Sequence, residues 1–164
     1  MLEDLTFKSL GISNYHETLE LMKSHIKKED FSNEIWLLEH PPIFTLGTAA
    51  DKNHILDSKD IPVVQTDRGG EVTYHGPGQL VIYFLIDLKK LDFGPRKLVF
   101  TIQSFIKELL KNISIECNFV EGAPGVYVDR KKIASIGLRI SKGKSYHGIS
   151  LNFDMDLSPF KQIN

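Results

Sequence analysis

The chain has 164 residues, 41% of them hydrophobic, and its 20 basic and 21 acidic side chains nearly cancel. That is the size and composition of one ordinary globular domain, residues 1–164, with a real core. A net charge this small excludes a delocalised field as the basis for binding nucleic acid or a membrane surface, so a pocket is the expected site.

The opening Met1-Leu2-Glu3-Asp4 is acidic and lacks an apolar run, unlike a signal peptide. Asn14, with Glu17 three residues later, reads as a variant capping box. Tyr15, Leu19, Met22 and Ile26 follow at helical spacing, and Lys23, Lys27 and Lys28 sit near the end, where cations suit the helix dipole. Short strands are expected over Glu34 to Glu39, Ile43 to Leu46, Val63 to Thr66 and Val72 to His75, each bounded by Pro, Gly or Asp. Leu80 to Leu88 is apolar on both faces, as in a central strand covered on both sides. No apolar run approaches the ~20 residues of a membrane helix.

A second helix should begin at Gly94-Pro95, with Leu98, Ile102, Phe105 and Leu109 as its buried stripe. Strands are then expected at Ile115 to Val120, Val126 to Val128, Lys132 to Ile140 and Gly148 to Phe153. In the last of these, Leu151 and Phe153 alternate with polar residues, as in a half-buried strand. Strands outnumber helices and come in runs, which favours an α+β layer fold over a doubly wound one. No G-x-G-x-x-G opens a helix after a strand, which argues against a dinucleotide fold. The single cysteine, Cys117, cannot form an intramolecular disulfide and suits a reducing cytosol. Its strand-like setting reads as that of a small buried apolar residue.

Three segments concentrate chemistry. The first is Arg68-Gly69-Gly70-Glu71-Val72-Thr73-Tyr74-His75-Gly76-Pro77-Gly78-Gln79. Its glycines let a ligand approach the backbone, Arg68 offers a planar fork, and Tyr74 and His75 supply hydrogen-bonding tips. Two tight turns around a short strand would read the same way, and composition leaves both open. The second segment, Gly122 to Ile140, reads as strand, turn, strand, though the turn lacks the usual glycine. Simple alternation puts Lys132 on the face of Ala134, Ile136, Leu138 and Ile140, with Lys131, Ser135 and Arg139 opposite. A lysine heading an apolar row is either partly desolvated beside an anion or snorkelling off a strand end, and the second arrangement is the commoner. The third segment is Tyr146-His147-Gly148-Ile149-Ser150. None of the six histidines has metal-site spacing, and His16, His25, His40 and His54 read as surface or structural.

Taken in order, Glu39-His40-Pro41-Pro42-Ile43-Phe44-Thr45-Leu46-Gly47, the Arg68 to Gln79 run, Gly122-Ala123-Pro124-Gly125-Val126-Tyr127, Lys132-Ile133-Ala134-Ser135-Ile136-Gly137, Tyr146-His147-Gly148 and the closing Asn152 to Asn164 resemble the lipoyl(octanoyl) transferase family. The resemblance implies the fold of the lipoate and biotin ligase catalytic domains, a mixed β-sheet flanked by helices. It also implies octanoyl transfer from octanoyl-acyl carrier protein to a lysine of lipoyl domains, those of 2-oxoacid dehydrogenase E2 subunits and the glycine cleavage H protein. The reaction would be cytoplasmic, pass through a cysteine thioester and need no cofactor. Lys132 matches the family lysine that lowers the pKa of that cysteine. Arg68, Gly69, Gly70, Glu71, Val72, Thr73, Tyr74, His75, Ser135, Ile136, Gly137, Gly148, Ile149 and Ser150 match its substrate site. In the family, Ile-Asn is followed by Pro-Cys-Gly, which carries the nucleophile, whereas this sequence stops at Asn164. The 164-residue form is therefore expected to bind acyl substrate without turnover. Two other readings stand beside this one. A non-catalytic acyl- or lipoyl-domain-binding module follows if the gene itself ends at Asn164. An ATP-dependent lipoate or biotin ligase shares the fold, but lipoate ligases read His-Asp-x-Gly-Asn where this chain reads Tyr-His-Gly-Pro-Gly-Gln.

Overall fold

Asn14 starts the first helix, α1 (Tyr15–Ile26), by accepting hydrogen bonds on its side chain from the N–H groups of His16 and Glu17. The computed structural model describes residues 5–164, so the acidic opening lies outside the described residues. Tyr15, Leu19 and Met22 are buried against the sheet, as their spacing predicts. Pro95 occupies the first turn of the second helix, α2 (Pro95–Lys111). Its buried stripe is the expected one at Leu98 and Ile102 but not beyond them. Leu98, Ile102, Ile106 and Leu110 face the core, while Phe105 and Leu109 lie 53% and 38% exposed. Four-residue steps form one ridge along a helix, and this helix packs that ridge, rather than its i+3 row, against the sheet.

Among the described residues there are ten strands: β1 (Leu5–Ile12), β2 (Asn33–Glu39), β3 (Ile43–Leu46), β4 (Val63–Gln65), β5 (Val72–His75), β6 (Gln79–Leu85), β7 (Asn118–Val120), β8 (Ala123–Val128), β9 (Lys131–Ser141) and β10 (Lys144–Asn152). Seven form one mixed sheet in the order β1-β2-β6-β10-β9-β8-β7, and β4-β3-β5 form a smaller one. Only β1–β2 runs parallel in the large sheet. The α+β expectation holds. Sequence patterning does not indicate β1, because an edge strand with mostly exposed side chains shows no apolar alternation. Ile115 to Cys117 precede β7 rather than joining it.

β6 shows why the large sheet sits between two cores. Val81, Tyr83 and Leu85 pack with α1, Trp36 and Tyr146 on one face. Ile82 and Phe84 pack with α2, Cys117 and Val126 on the other. Each such side chain removed from water contributes about 1.5–3 kcal/mol. Cys117 is a small buried core residue, and burial pushes its thiol up. β10 is also covered on both faces, from Ser145 to Leu151, so it is not the half-buried strand expected. Phe153 falls beyond its end and is 77% exposed.

At Gly148 the backbones of β10 and β6 come so close that a Cβ would overlap the Ile82 carbonyl oxygen. Gly148→Ala should therefore force these central strands apart, at a cost of about 3 kcal/mol. Thermal melting should show a fall of roughly 10 °C; a fall under about 2 °C would mean that the strands yield freely.

Candidate active site

The loop between β4 and β5 is folded around Arg68. This side chain is 7% exposed, and its Nη2 donates to the carbonyl oxygens of Thr45 (2.7 Å) and Glu71 (2.8 Å) and to Thr45 Oγ1 (2.9 Å). Nη1 donates to the Gly69 carbonyl, and Nε to Thr45 Oγ1. The fork read from sequence as a ligand anchor is thus engaged in clamping its own loop onto β3. Gly47 makes room for the clamp, since a Cβ there would overlap the Gly70 carbonyl oxygen. The Gly69 N–H donates to the Leu138 carbonyl, seating the loop on β9.

Between this loop, the start of α2 and strands β8 to β10 lies a cleft of about 720 Å³. Arg68, Gly69, Gly70, Glu71, Val72, Thr73, His75, Lys132, Ser135, Ile136, Gly137, Gly148, Ile149 and Ser150 all line it. Of the residues matched to the family site, Tyr74 alone does not. Its ring is buried between Phe44 and Phe160 and fills the space beneath Gly76. The apolar lining is drawn from the α2-side core through Ile136, Leu138, Ile140 and Ile149, with Val99 beside them. The polar lining includes Tyr15, His75, Tyr83 and His147.

Lys132 reaches this cleft by a route that alternation misplaces. In the β8–β9 ladder Tyr127 pairs with Lys132 and Val126 with Ala134, so Ile133 is an extra residue, a β-bulge. The bulge shifts Lys132 off the face of Ala134, Ile136 and Leu138 and onto the face of Tyr127, Gly125 and Ser135. Its Nζ lies 5.5 Å over the Tyr127 ring, and its stem runs across Gly125. A Cβ on Gly125 would sit 3.2 Å from Lys132 Cε and 2.6 Å from the Ala134 oxygen. Lys132 is exposed rather than desolvated. The turn joining β8 and β9 puts Asp129 (φ 46°) and Arg130 (φ 65°) in the left-handed region without any glycine.

Beneath the polar side lies a buried network. His40 Nδ1 lies 2.7 Å from the Ser13 carbonyl, which can only accept, so Nε2 accepts from the Tyr83 hydroxyl at 2.7 Å. His75 Nδ1 lies 2.7 Å from Gln79 Oε1, and Gln79 Nε2 is held by the Tyr74 carbonyl and Asn152 Oδ1. Tyr15 stacks on His75 and donates to Thr66 Oγ1. Burial lowers His40 to about 4 and His75 to about 3, with the neighbouring imidazoles adding to the shift. Both are neutral near neutral pH.

The native state therefore binds fewer protons here than the unfolded chain, whose histidines titrate near ~6.5. Stability is full above that value and falls as pH drops from there through the folded values near 4 and 3. Melting temperature should decline between pH 7 and pH 5, before carboxylates titrate, and the decline should shrink in His40→Gln. A flat profile in that window would contradict the buried neutral pair.

His147 has φ 58° and is stacked on Tyr146, and both rings hydrogen-bond the Asp67 carboxylate. Sequence reading missed Asp67, which no motif marks, and the cleft-lining Tyr15 and Tyr83, which read there only as apolar positions. At the far rim, Glu71 Oε2 lies 3.4 Å from His54 Nδ1, and the Asn164 N–H donates to the His54 carbonyl. Among the described residues, no group of three or more His, Cys, Asp or Glu is placed to hold a metal ion.

The sequence matches the lipoyl protein ligase A/B catalytic domain over residues 14–164. It is 52% identical over 162 residues to an octanoyltransferase of Pseudomonas putida (strain F1), covering 98% of this chain and 75% of that one. An octanoyltransferase of Marinomonas sp. (strain MWYL1) is 52% identical over 163 residues, covering 98% of this chain and 76% of the relative. This chain belongs to the octanoyltransferase family. The family makes it an acyltransferase. In fold it resembles a lipoate-protein ligase A solved with ATP, at a TM-score of 0.81 and 14% identity, over 98% of this chain and 71% of that one. The expected lipoate-ligase-like architecture is thus present.

Proposed function

We propose that this chain supplies a single catalytic domain, residues 1–164, that transfers an octanoyl group to a lysine of lipoyl domains by way of a cysteine thioester. The donor is octanoyl-acyl carrier protein. The acceptors are the lipoyl domains of 2-oxoacid dehydrogenase E2 subunits and the glycine cleavage H protein, and the reaction is cytoplasmic. Among the described residues, no helix is long and apolar enough to cross a membrane.

One observation carries this reading: a single cleft gathers Lys132 and residues of all three chemistry-bearing segments. An octanoyl chain buried in that cleft gains ~0.8 kcal/mol per methylene removed from water. The family's nucleophile follows the position of Asn164, and Asn164 is held at His54, beside the rim residue Glu71. A thiolate is stabilised by an ammonium beside it, and that is the role this reading gives Lys132. Arg68 acts as the clamp of the substrate loop, and the lining backbones of Gly69, Gly70 and Gly137 let the acyl group approach closely. The donor thioester is already activated, so the chemistry asks for neither ATP nor a metal.

The test is intact mass of the enzyme that carries the family's cysteine, after incubation with octanoyl-acyl carrier protein and no ATP. One octanoyl adduct, removed by hydroxylamine and passed to a lipoyl domain, is the expected result. Transfer that requires ATP and free octanoate would indicate a ligase instead.

A further inference from the structure

Any acyl transfer to lysine faces a proton problem, because an amine of pKa near ~10.4 arrives as ammonium and cannot attack until it loses a proton. We propose that His147 takes that proton, and that Asp67 and Tyr146 are positioning residues that hold His147 ready to do so. This rests on the acyl-transfer reading above and assigns the acceptor half of it.

The geometry singles out His147 among the imidazoles near the cleft. Both nitrogens of His40 are occupied, by Ser13 and Tyr83. His75 is backed only by the neutral amide of Gln79, and burial makes it a very weak base. Of the two imidazoles that line the cleft, His75 and His147, only His147 has a carboxylate behind it, with Nε2 2.9 Å from Asp67 Oδ1. The other oxygen of that carboxylate accepts from the Tyr146 hydroxyl at 2.6 Å. Two donors hold the Asp67 carboxyl well below the usual carboxylate range, so it stays ionised and Nε2 keeps its hydrogen. Nδ1 is then the acceptor, and it has no protein hydrogen-bond partner among the described residues. Burial lowers His147, which keeps the ring neutral and able to accept.

The ring is 1% exposed and lines the cleft, on a backbone turned into the left-handed region at φ 58°. A bulky buried residue rarely holds that conformation without compensation, and such strain gathers at functional sites. The compensation is visible: the turn brings Tyr146 and His147 together onto one carboxylate.

In the transfer step the ammonium gives one proton to His147 Nδ1, forming an imidazolium opposite the Asp67 carboxylate. The freed amine lone pair forms the C–N bond at the thioester carbonyl, and the C–S bond breaks with its electron pair leaving on sulfur. The nitrogen's second proton passes to that thiolate, restoring the thiol, and the imidazolium releases its proton to water.

Two measurements test this. In the protein labelled with ¹⁵N-histidine, two-bond ¹H–¹⁵N correlations should show His147 protonated at Nε2 and bare at Nδ1. Asp67→Ala should abolish that preference, and Tyr146→Phe should preserve it. A His147 carrying its hydrogen on Nδ1 would overturn the proposal. In single-turnover experiments on the cysteine-bearing enzyme, His147→Gln and Asp67→Ala should slow transfer from the acyl-enzyme to a lipoyl domain by about 10²-fold or more. Formation of the acyl-enzyme should be slowed at least tenfold less than transfer, and added imidazole should restore part of the transfer rate in His147→Ala. Should Asp67→Ala fail to fold, Asp67→Asn, which removes the charge while keeping an acceptor for Nε2, takes its place. Normal transfer, or equal slowing of both steps, counts against His147 as the base. An unsubstituted enzyme that forms no acyl-enzyme would instead sink the underlying acyl-transfer reading.

Discussion

Lys132→Met should reduce acyl-enzyme formation by about 10²- to 10⁴-fold while leaving the fold intact. Lys132 is exposed at the cleft and its stem lies over Gly125, so truncation strands no buried group. In the role proposed for Lys132, the substitution removes the charge that would favour the thiolate. The thiol should drift toward its ordinary value near ~8.5, and the acylation rate should recover at higher pH. Lys132→Arg keeps the charge but replaces a compact ammonium with a broad fork, so only partial activity is expected. Gly125→Ala should mimic the loss by another route, because its Cβ would displace the lysine stem and press on the Ala134 oxygen. Single-turnover acylation paired with thermal melting separates the two variants. A rate for Lys132→Met within about threefold of the parent would remove Lys132 from the chemistry.

Arg68→Ala should act mainly on stability. It would take a donor from the carbonyls of Thr45, Gly69 and Glu71, of which Glu71 keeps the Gly47 N–H, at roughly 1–3 kcal/mol for each left unpaired where water cannot reach. A loss of about 3 kcal/mol or more lowers the melting temperature by roughly 6–12 °C in a chain of this length. Arg68→Lys should recover little, since one ammonium cannot span acceptors on β3 and on the loop at once. If Arg68 instead met substrate directly, the variant would melt normally and show only a raised KM.

These two residues mark the limits of what the sequence discloses. The order of motifs picks out stretches of chain whose residues nearly all meet at one cleft. Local pattern does not fix what each one does there. Counting in twos assigns Lys132 a face, and a single bulge at Ile133 reverses the count. Arg68 carries a fork that suits a ligand or a loop equally well, and only the fold shows its acceptors to be backbone carbonyls and the Thr45 hydroxyl. Tyr74 sits in the middle of the glycine-rich run yet turns inward against Phe44 and Phe160. Asp67 joins His147 across 80 positions of sequence, a separation that no spacing rule reaches. On α2 the spacing admits two stripes, and packing against the sheet selects the i+4 ridge.

The strand order has a consequence for how the protein is made. β6 pairs with β2 on one side and β10 on the other, and partners such as Leu80 and Leu151 lie far apart in sequence. The middle of the sheet therefore cannot close until β10 has left the ribosome. Long-range pairings of this kind come late and slowly, because loop-closure entropy is lost before any contact compensates it. His147 and the loop that carries Asp67 are joined in that same event. Earlier intermediates would hold α1 and β2 with β6 unpaired along one edge, an apolar strand open to association with other chains. Competence to transfer and protection from aggregation should therefore appear together, when β10 docks.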